Sequence, residues 1–142
     1  MQMNYWLFKS EPSSWSWTDQ LKKGAKGEGW DGVRNYQASN NMKKMKIGEK
    51  GFFYHSVSEK QIMGIVEIIK EYYPDPSDNT KKFGMVRVKA LKSLPTPVTL
   101  AMLKSNKSLS DFQMIKQNRL SVVPVTKQEW ETICEMANLK NI

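Results

Sequence analysis

The densest run of side chains able to do chemistry is Gly29-Trp30-Asp31-Gly32-Val33-Arg34-Asn35-Tyr36-Gln37. A tryptophan set among glycines and an aspartate is costly to leave in a loop unless its face packs on something. Arg34, Asn35, Tyr36 and Gln37 follow at the start of a helix. Together they offer a stacking face, a guanidinium fork, an amide able to read a base edge, and the free N–H groups of a helix N-terminus. Recognition of an extruded base needs that set: aromatic faces to replace lost stacking, amides to test the base edge, cations for the phosphates. The same run admits a plain structural reading. In it Trp30 plugs the core, Asp31-Gly32 makes a turn and Asn35 caps the helix.

A second run, Tyr54-His55-Ser56, closes a strand with three hydrogen-bonding side chains. Alternation puts Phe53 and His55 on one face and Phe52 and Tyr54 on the other, so one set leaves the core or the strand borders a cavity. A lone histidine on a strand is by itself a structural residue. Lys9-Ser10-Glu11-Pro12 and Arg119-Leu120-Ser121 carry less signal, being a polar strand exit and an arginine ahead of a strand.

Several chemistries lack their residues. One histidine and one cysteine leave no two-histidine metal site, no Cys-based zinc cluster and no internal disulfide. The His-x-Glu and Cys-x-x-Cys signature of zinc deaminases is missing. So are the Gly-x-Gly-x-x-Gly and Walker loops and the Gly-x-Ser-x-Gly elbow. No cofactor, metal or catalytic residue is expected. Cys134, in a helical pattern, reads as core filler.

The elements that must position these residues follow from patterning. Tyr5 to Phe8 is a first strand, and Ser13 to Lys23 a short helix with Trp17 and Leu21 on one side, closed by Gly24. Gly24 to Val33 is a glycine-rich loop. Asn35 to Lys46 is a helix with Ala38, Met42 and Met45 as its apolar stripe and Lys43 off it. Phe52 to Ser56 and Ile62 to Ile69 are strands, the second apolar on both faces and therefore central. Tyr72 to Thr80 is a loop. Phe83 to Leu91 alternates as a half-buried strand, which Pro95 and Pro97 break. Thr99 caps a helix through about Lys104. Leu120 to Val125 is an edge strand, since Pro124 cannot donate to a ladder. Thr126 and Glu129 form a capping box for the last helix. The irregular order favours a small barrel or curled sheet with peripheral helices.

The 142 residues fit one domain, 1–142, with a formal charge of +8 from 22 Lys+Arg against 14 Asp+Glu. That balance suits a polyanion. Only three cations are arginine, Arg34, Arg87 and Arg119, and two of them fall in the unusual segments. No apolar run approaches the length of a membrane span. The start, Met1 to Trp6, lacks the pattern of a signal peptide, and a cytoplasmic monomer is expected.

Six stretches in order resemble the EVE family: Tyr5-Trp6-Leu7-Phe8-Lys9-Ser10-Glu11-Pro12, Trp30 to Ala38, Phe52 to Ser56, Gly64-Ile65-Val66-Glu67, Tyr73-Pro74-Asp75-Pro76 and Arg119-Leu120-Ser121-Val122. The resemblance spans essentially the whole chain. It implies an α+β, PUA-like fold, a curled and mostly antiparallel β-barrel with peripheral helices, related to YTH and ASCH domains. It also implies a pocket for one modified base, particularly a modified cytosine in DNA, or a modified RNA base. Carried over, the pocket residues are Ser10, Trp30, Asn35, Tyr54, His55 and Ser56, with the base stacked against Trp30 and Tyr54. Lys9, Arg34, Tyr36, Lys43, Arg119 and Ser121 are expected at the rim or phosphate track. Two positions depart from the family: Ser39, where arginine is common, and Phe83, where tryptophan is. The rival readings are an amidohydrolase-like enzyme using Lys9 as base, and an adaptor that binds no nucleic acid.

Overall fold

The computed structural model describes residues 3–139. Met1, Gln2 and residues 140–142 of the expected domain lie outside them. Six strands form one sheet: β1 (Tyr5–Ser10), β2 (Glu28–Gly29), β3 (Lys50–His55), β4 (Gln61–Pro74), β5 (Gly84–Thr99) and β6 (Val122–Val125). Their spatial order is β2-β5-β4-β3-β1-β6. Pairing is antiparallel except between β1 and β3, which run parallel with Lys9 opposite Tyr54 and Ser10 opposite His55. Five α-helices surround the sheet: α1 (Trp17–Lys22), α2 (Tyr36–Lys43), α3 (Leu100–Ser105), α4 (Gln113–Lys116) and α5 (Lys127–Met136).

Helix α2 packs on β6 at one end of the strand order and on β4 and β5 near the other. A flat sheet could not meet one helix at both places, so the sheet curls around it. The apolar stripe Ala38, Met42 and Met45 is fully buried there, as its spacing predicts. The curl does not close. Strands β2 and β6 are not paired, so the expected barrel is an open, curled six-stranded sheet.

Expected boundaries shift where local hydrogen bonds compete. Helix α1 starts at Trp17 rather than Ser13, because Ser14 and Trp15 donate their N–H groups to the Glu11 carbonyl in a separate turn. Ser16 then caps the helix in a reciprocal box with Asp19. Trp17 is buried as expected. Leu21 is 45% exposed and Gln20, donating to the Val88 carbonyl, takes the inner position instead. The indole of Trp17 lies flat on β4 because position 64 is glycine; a Cβ there would come within 2.2 Å of the ring. Helix α2 ends at Lys43, and Asn35 is its N-cap.

The larger differences are in the long hairpin. Strand β4 runs to Pro74, so Tyr72 and Tyr73 are strand residues rather than loop. Strand β5 runs to Thr99 through Pro95 and Pro97. The prolines are tolerated because the ladder breaks between the Gly64–Ser93 and Ile62–Val98 pairs, and residues 94–97 bulge out. Thr96 in that bulge donates instead to the Ala137 carbonyl beyond α5. Pro124 does lie on an edge strand, opposite Trp6.

Two aromatic clusters sandwich β3. Phe52 stacks on Trp130 of α5 at 4.0 Å, and Trp130 in turn stacks on Tyr5 at 4.5 Å. On the opposite face Phe53 meets Trp17 and Trp30. Cys134 is buried, and burial pushes its thiol up to about 11.

Candidate nucleic-acid interface

Two cavities open on either side of Lys9. The first, about 500 Å³, is lined by Lys9, Ser10 and Glu11 from the end of β1, Ser14 and Trp15 from the turn before α1, and Glu28 to Asp31 from β2 onward. We call it the tryptophan cavity. Its back wall is held by the sheet edge. The Trp30 N–H donates to the Val86 carbonyl, and its ring meets Phe8 at 5.0 Å and Phe53 edge-on at 5.5 Å. Only 8% of Trp30 is exposed. The core plug and the wall of a site are therefore one residue. Gly29 brings this strand against β5, where a Cβ would come within 2.8 Å of the Met85 side chain.

Trp15 forms a second indole surface of the cavity. It is half-buried, and its Nε1–H donates to the Gln20 carboxamide at 3.0 Å. The Ser10 hydroxyl donates to the Trp15 carbonyl at 2.5 Å, tying β1 to this turn. Three carboxylates, Glu11, Glu28 and Asp31, surround the opening against the single ammonium of Lys9. Lys23 lies 3.6 Å from Glu28 and offsets part of that charge.

The second cavity, about 320 Å³, is lined by Lys9, Tyr54, Ser56, Val57, Lys60, Leu100, Lys104 and residues of and after α4. We call it the lysine cavity. Lys9 belongs to both. Its Nζ donates to the Asn118 carbonyl at 3.0 Å, and burial lowers its pKa. Tyr54 is 4% exposed, and burial raises the pKa of its hydroxyl, which has no hydrogen-bond partner among the described residues.

The single pocket expected of six residues is thus divided. Ser10 and Trp30 line the tryptophan cavity, whereas Tyr54 and Ser56 line the lysine cavity. The expected stacking pair of Trp30 and Tyr54 is not brought together. Asn35 and His55 line neither cavity. The Asn35 side-chain Oδ1 accepts from the Ala38 N–H as a helix cap. The His55 ring is buried, with Nε2 accepting from the Trp17 N–H at 2.9 Å and Nδ1 against Glu59 at 2.6 Å. It braces α1 and the β3–β4 turn.

Of the expected rim, only Lys9 lines either of these two cavities. Arg34 bonds the carboxylate of Asp75 at 3.2 Å and the Ser77 hydroxyl at 3.0 Å, which locks it to the β4–β5 loop. Burial is the largest influence on Asp75 and raises its pKa. Hydrogen bonds from Ser77, Gly32 and Arg34 together outweigh it, so the carboxyl sits below its ordinary value. Tyr36 is 62% exposed with its ring against Phe83. Lys43 lies 5.6 Å above the Tyr72 ring. Ser121 contributes its carbonyl to the Lys9 N–H, and Arg119 is exposed. Ser39, at the position where the family commonly has arginine, is buried and bonded to the Tyr72 hydroxyl.

Sequence reasoning missed Trp15, Lys60 and Lys104. Trp15 had a legible signal, being a second tryptophan two residues from Trp17 and off the helical stripe. The two lysines had none.

A sheet curled around one helix, with an indole-walled cavity at the end of its first strand, fits the PUA-like fold that the resemblance implies. The family model of the EVE domain matches residues 4–136, and the chain belongs to that family. A crystal structure of a protein from Agrobacterium tumefaciens superposes with a TM-score of 0.96 at 47% identity, covering 98% of this chain and 96% of that one. Human thymocyte nuclear protein 1 is 33% identical over 165 residues, spanning 94% of this chain and 73% of that protein. Its crystal structure in complex with DNA containing 5-methylcytosine superposes with a TM-score of 0.88 at 32% identity, covering 97% and 99%. A YTH domain of Zygosaccharomyces rouxii in complex with N6-methyladenosine RNA shares the fold alone, with a TM-score of 0.57 at 15% identity.

Proposed function

We propose that this chain is a non-catalytic reader that takes one modified base, a methylated cytosine of DNA, turned out of its strand into the tryptophan cavity. The observation that carries this reading is the pairing of two indole surfaces, Trp15 and Trp30, with three carboxylates in a cavity of about 500 Å³. Cytosine presents an exocyclic amine, and Asp or Glu is the side chain that accepts from it. The indoles replace the stacking lost on extrusion, worth about 1–3 kcal/mol per base. That offsets much of an unpairing cost of a few kcal/mol. The complex of the human relative with 5-methylcytosine DNA supports the choice of base. The reading needs neither a metal nor a second copy of the chain.

A buried methyl group is worth about 0.8 kcal/mol, so the preference for methylated over plain cytosine is expected near fourfold. The test is titration of matched oligonucleotides with plain or 5-methyl cytosine at two salt concentrations, for the protein and for Trp15→Ala. The expected result is a preference in the first and weak, salt-sensitive binding without preference in the second. A preference that survives Trp15→Ala would sink the assignment of this cavity.

A further inference from the structure

The two cavities carry opposite charge, and a nucleotide has to satisfy both kinds of surface. An anionic phosphate placed beside Glu11, Glu28 and Asp31 would meet three carboxylates and one ammonium. The lysine cavity offers the reverse. Lys9, Lys60 and Lys104 line it and no carboxylate does. Two hydroxyls, those of Tyr54 and Ser56, line it as well. Tyr54 as a residue is 4% exposed, and its hydroxyl has no partner among the described residues, so it is free to bond a group in the cavity. Lys9 spends one donor on the Asn118 carbonyl and keeps two of its three. It stands on the wall common to both cavities.

The turn between β3 and β4 forms one side of this cavity at a conformational cost. Val57 and Lys60 both have positive φ, 68° and 52°. A β-branched residue in that region is an outlier, and such positions gather where a surrounding site over-determines them.

We propose that the lysine cavity is a phosphate site for the nucleotide next to the extruded base, with Lys60 and Lys104 as its own cations and Lys9 shared with the base site. Tyr54 donates its hydroxyl to the same phosphate. This assignment rests on the base-reading proposed above and divides the labour within it: the acidic cavity selects the base, and the basic cavity holds the strand.

The experiment uses the whole chain, wild type and a Lys60→Asn, Lys104→Gln double variant, asparagine being chosen because it tolerates the left-handed region. The probes are the cytosine and 5-methylcytosine nucleosides, a trinucleotide centred on the methylated one, and the same trinucleotide with uncharged methylphosphonate linkages. The native trinucleotide is expected to bind the wild type about tenfold more tightly than the uncharged one. The double variant is expected to lose that difference and to lower the slope of log affinity against log salt by about 0.7, the value for one phosphate on a single strand. Nucleoside affinity is expected to stay unchanged. Inorganic phosphate alone is expected to shift the backbone NMR signals of Tyr54 and Ser56 in the wild type and not in the double variant. A double variant that keeps the full charge-dependent gain, or absence of any phosphate response at Tyr54 and Ser56, overturns the phosphate site. A nucleoside bound without preference for the methyl group, with the phosphate response intact, overturns the base-reading instead.

Discussion

The tryptophan and lysine cavities share one residue and little else. One is walled by indoles and fringed by Glu11, Glu28 and Asp31; the other gathers Lys9, Lys60 and Lys104 around two hydroxyls. A formal charge of +8 on the whole chain hides this division, because net charge says nothing about where the cations stand. The difference teaches that base selection and strand affinity are separable here. A carboxylate that reads an amine would repel the phosphate of the same nucleotide, so the cations belong on the far side of β1. Lys9 sits where the two requirements meet.

The comparison breaks most visibly at its apolar end. Trp30→Ala removes a wall that is also core, and an unfolding free energy lower by about 3–5 kcal/mol is expected in urea titration. A loss under about 1 kcal/mol would mean that Trp30 serves the cavity without holding the sheet edge. Trp15→Ala sharpens the contrast. Its ring is partly buried against the core and bonded to Gln20, so stability should fall by about 1–2 kcal/mol, less than for Trp30. Affinity for the modified base should fall by about 1–3 kcal/mol. Equal loss of plain-cytosine and methylcytosine binding would place Trp15 in general affinity rather than selection.

Acid separates the cavities from the loop that frames α2. Asp78 is pulled down to about 2, chiefly by the Thr80 hydroxyl, while burial opposes and the Phe83, Thr80 and Lys82 N–H groups add to the pull. A depressed carboxyl contributes stability above its unfolded value of 3.8 and loses it as pH falls through about 2. Amide-exchange protection factors in residues 75–83, taken against the intrinsic rate at each pH, should therefore be constant from neutral pH to about pH 4 and fall below it. A fall already at about pH 6 would assign the loop's stability to another group. The smallest effect is expected from Lys43→Gln, whose ammonium lies over Tyr72 on a surface with neither cavity. Stability should change by under about 1 kcal/mol with base preference unaltered; an altered preference would extend the site along α2.

Much of the fold was legible because it is written in local signals. The Thr126–Glu129 box, the Ala38-Met42-Met45 stripe and the alternation of Val86 and Val88 each occupy a few consecutive turns or pleats. The continuation of β5 through Pro95 and Pro97 was not, since proline forbids a ladder locally and only a distant partner, the Ala137 carbonyl, rewards the bulge. Of the site, Trp30 was legible as a cavity or core residue from its type and setting, whereas Ser10 came only with the family resemblance. The roles of Asn35 and His55 as helix cap and brace were the plain readings of the same residues, and the packing selects them.

The sequence by itself determined the family, the segments that carry chemistry and most of the element order, but not β2, which lies inside the loop expected from Gly24 to Val33, or α4. It could not divide those segments between two cavities. That division follows from the parallel pairing of β1 with β3, which sets Lys9 beside Tyr54, and from the β3–β4 turn, α3 and α4 meeting there. Residues 9, 60 and 104 are linked by no periodicity. They are neighbours only because the packed fold brings three distant chain segments to one place, and that arrangement is a property of the packed whole.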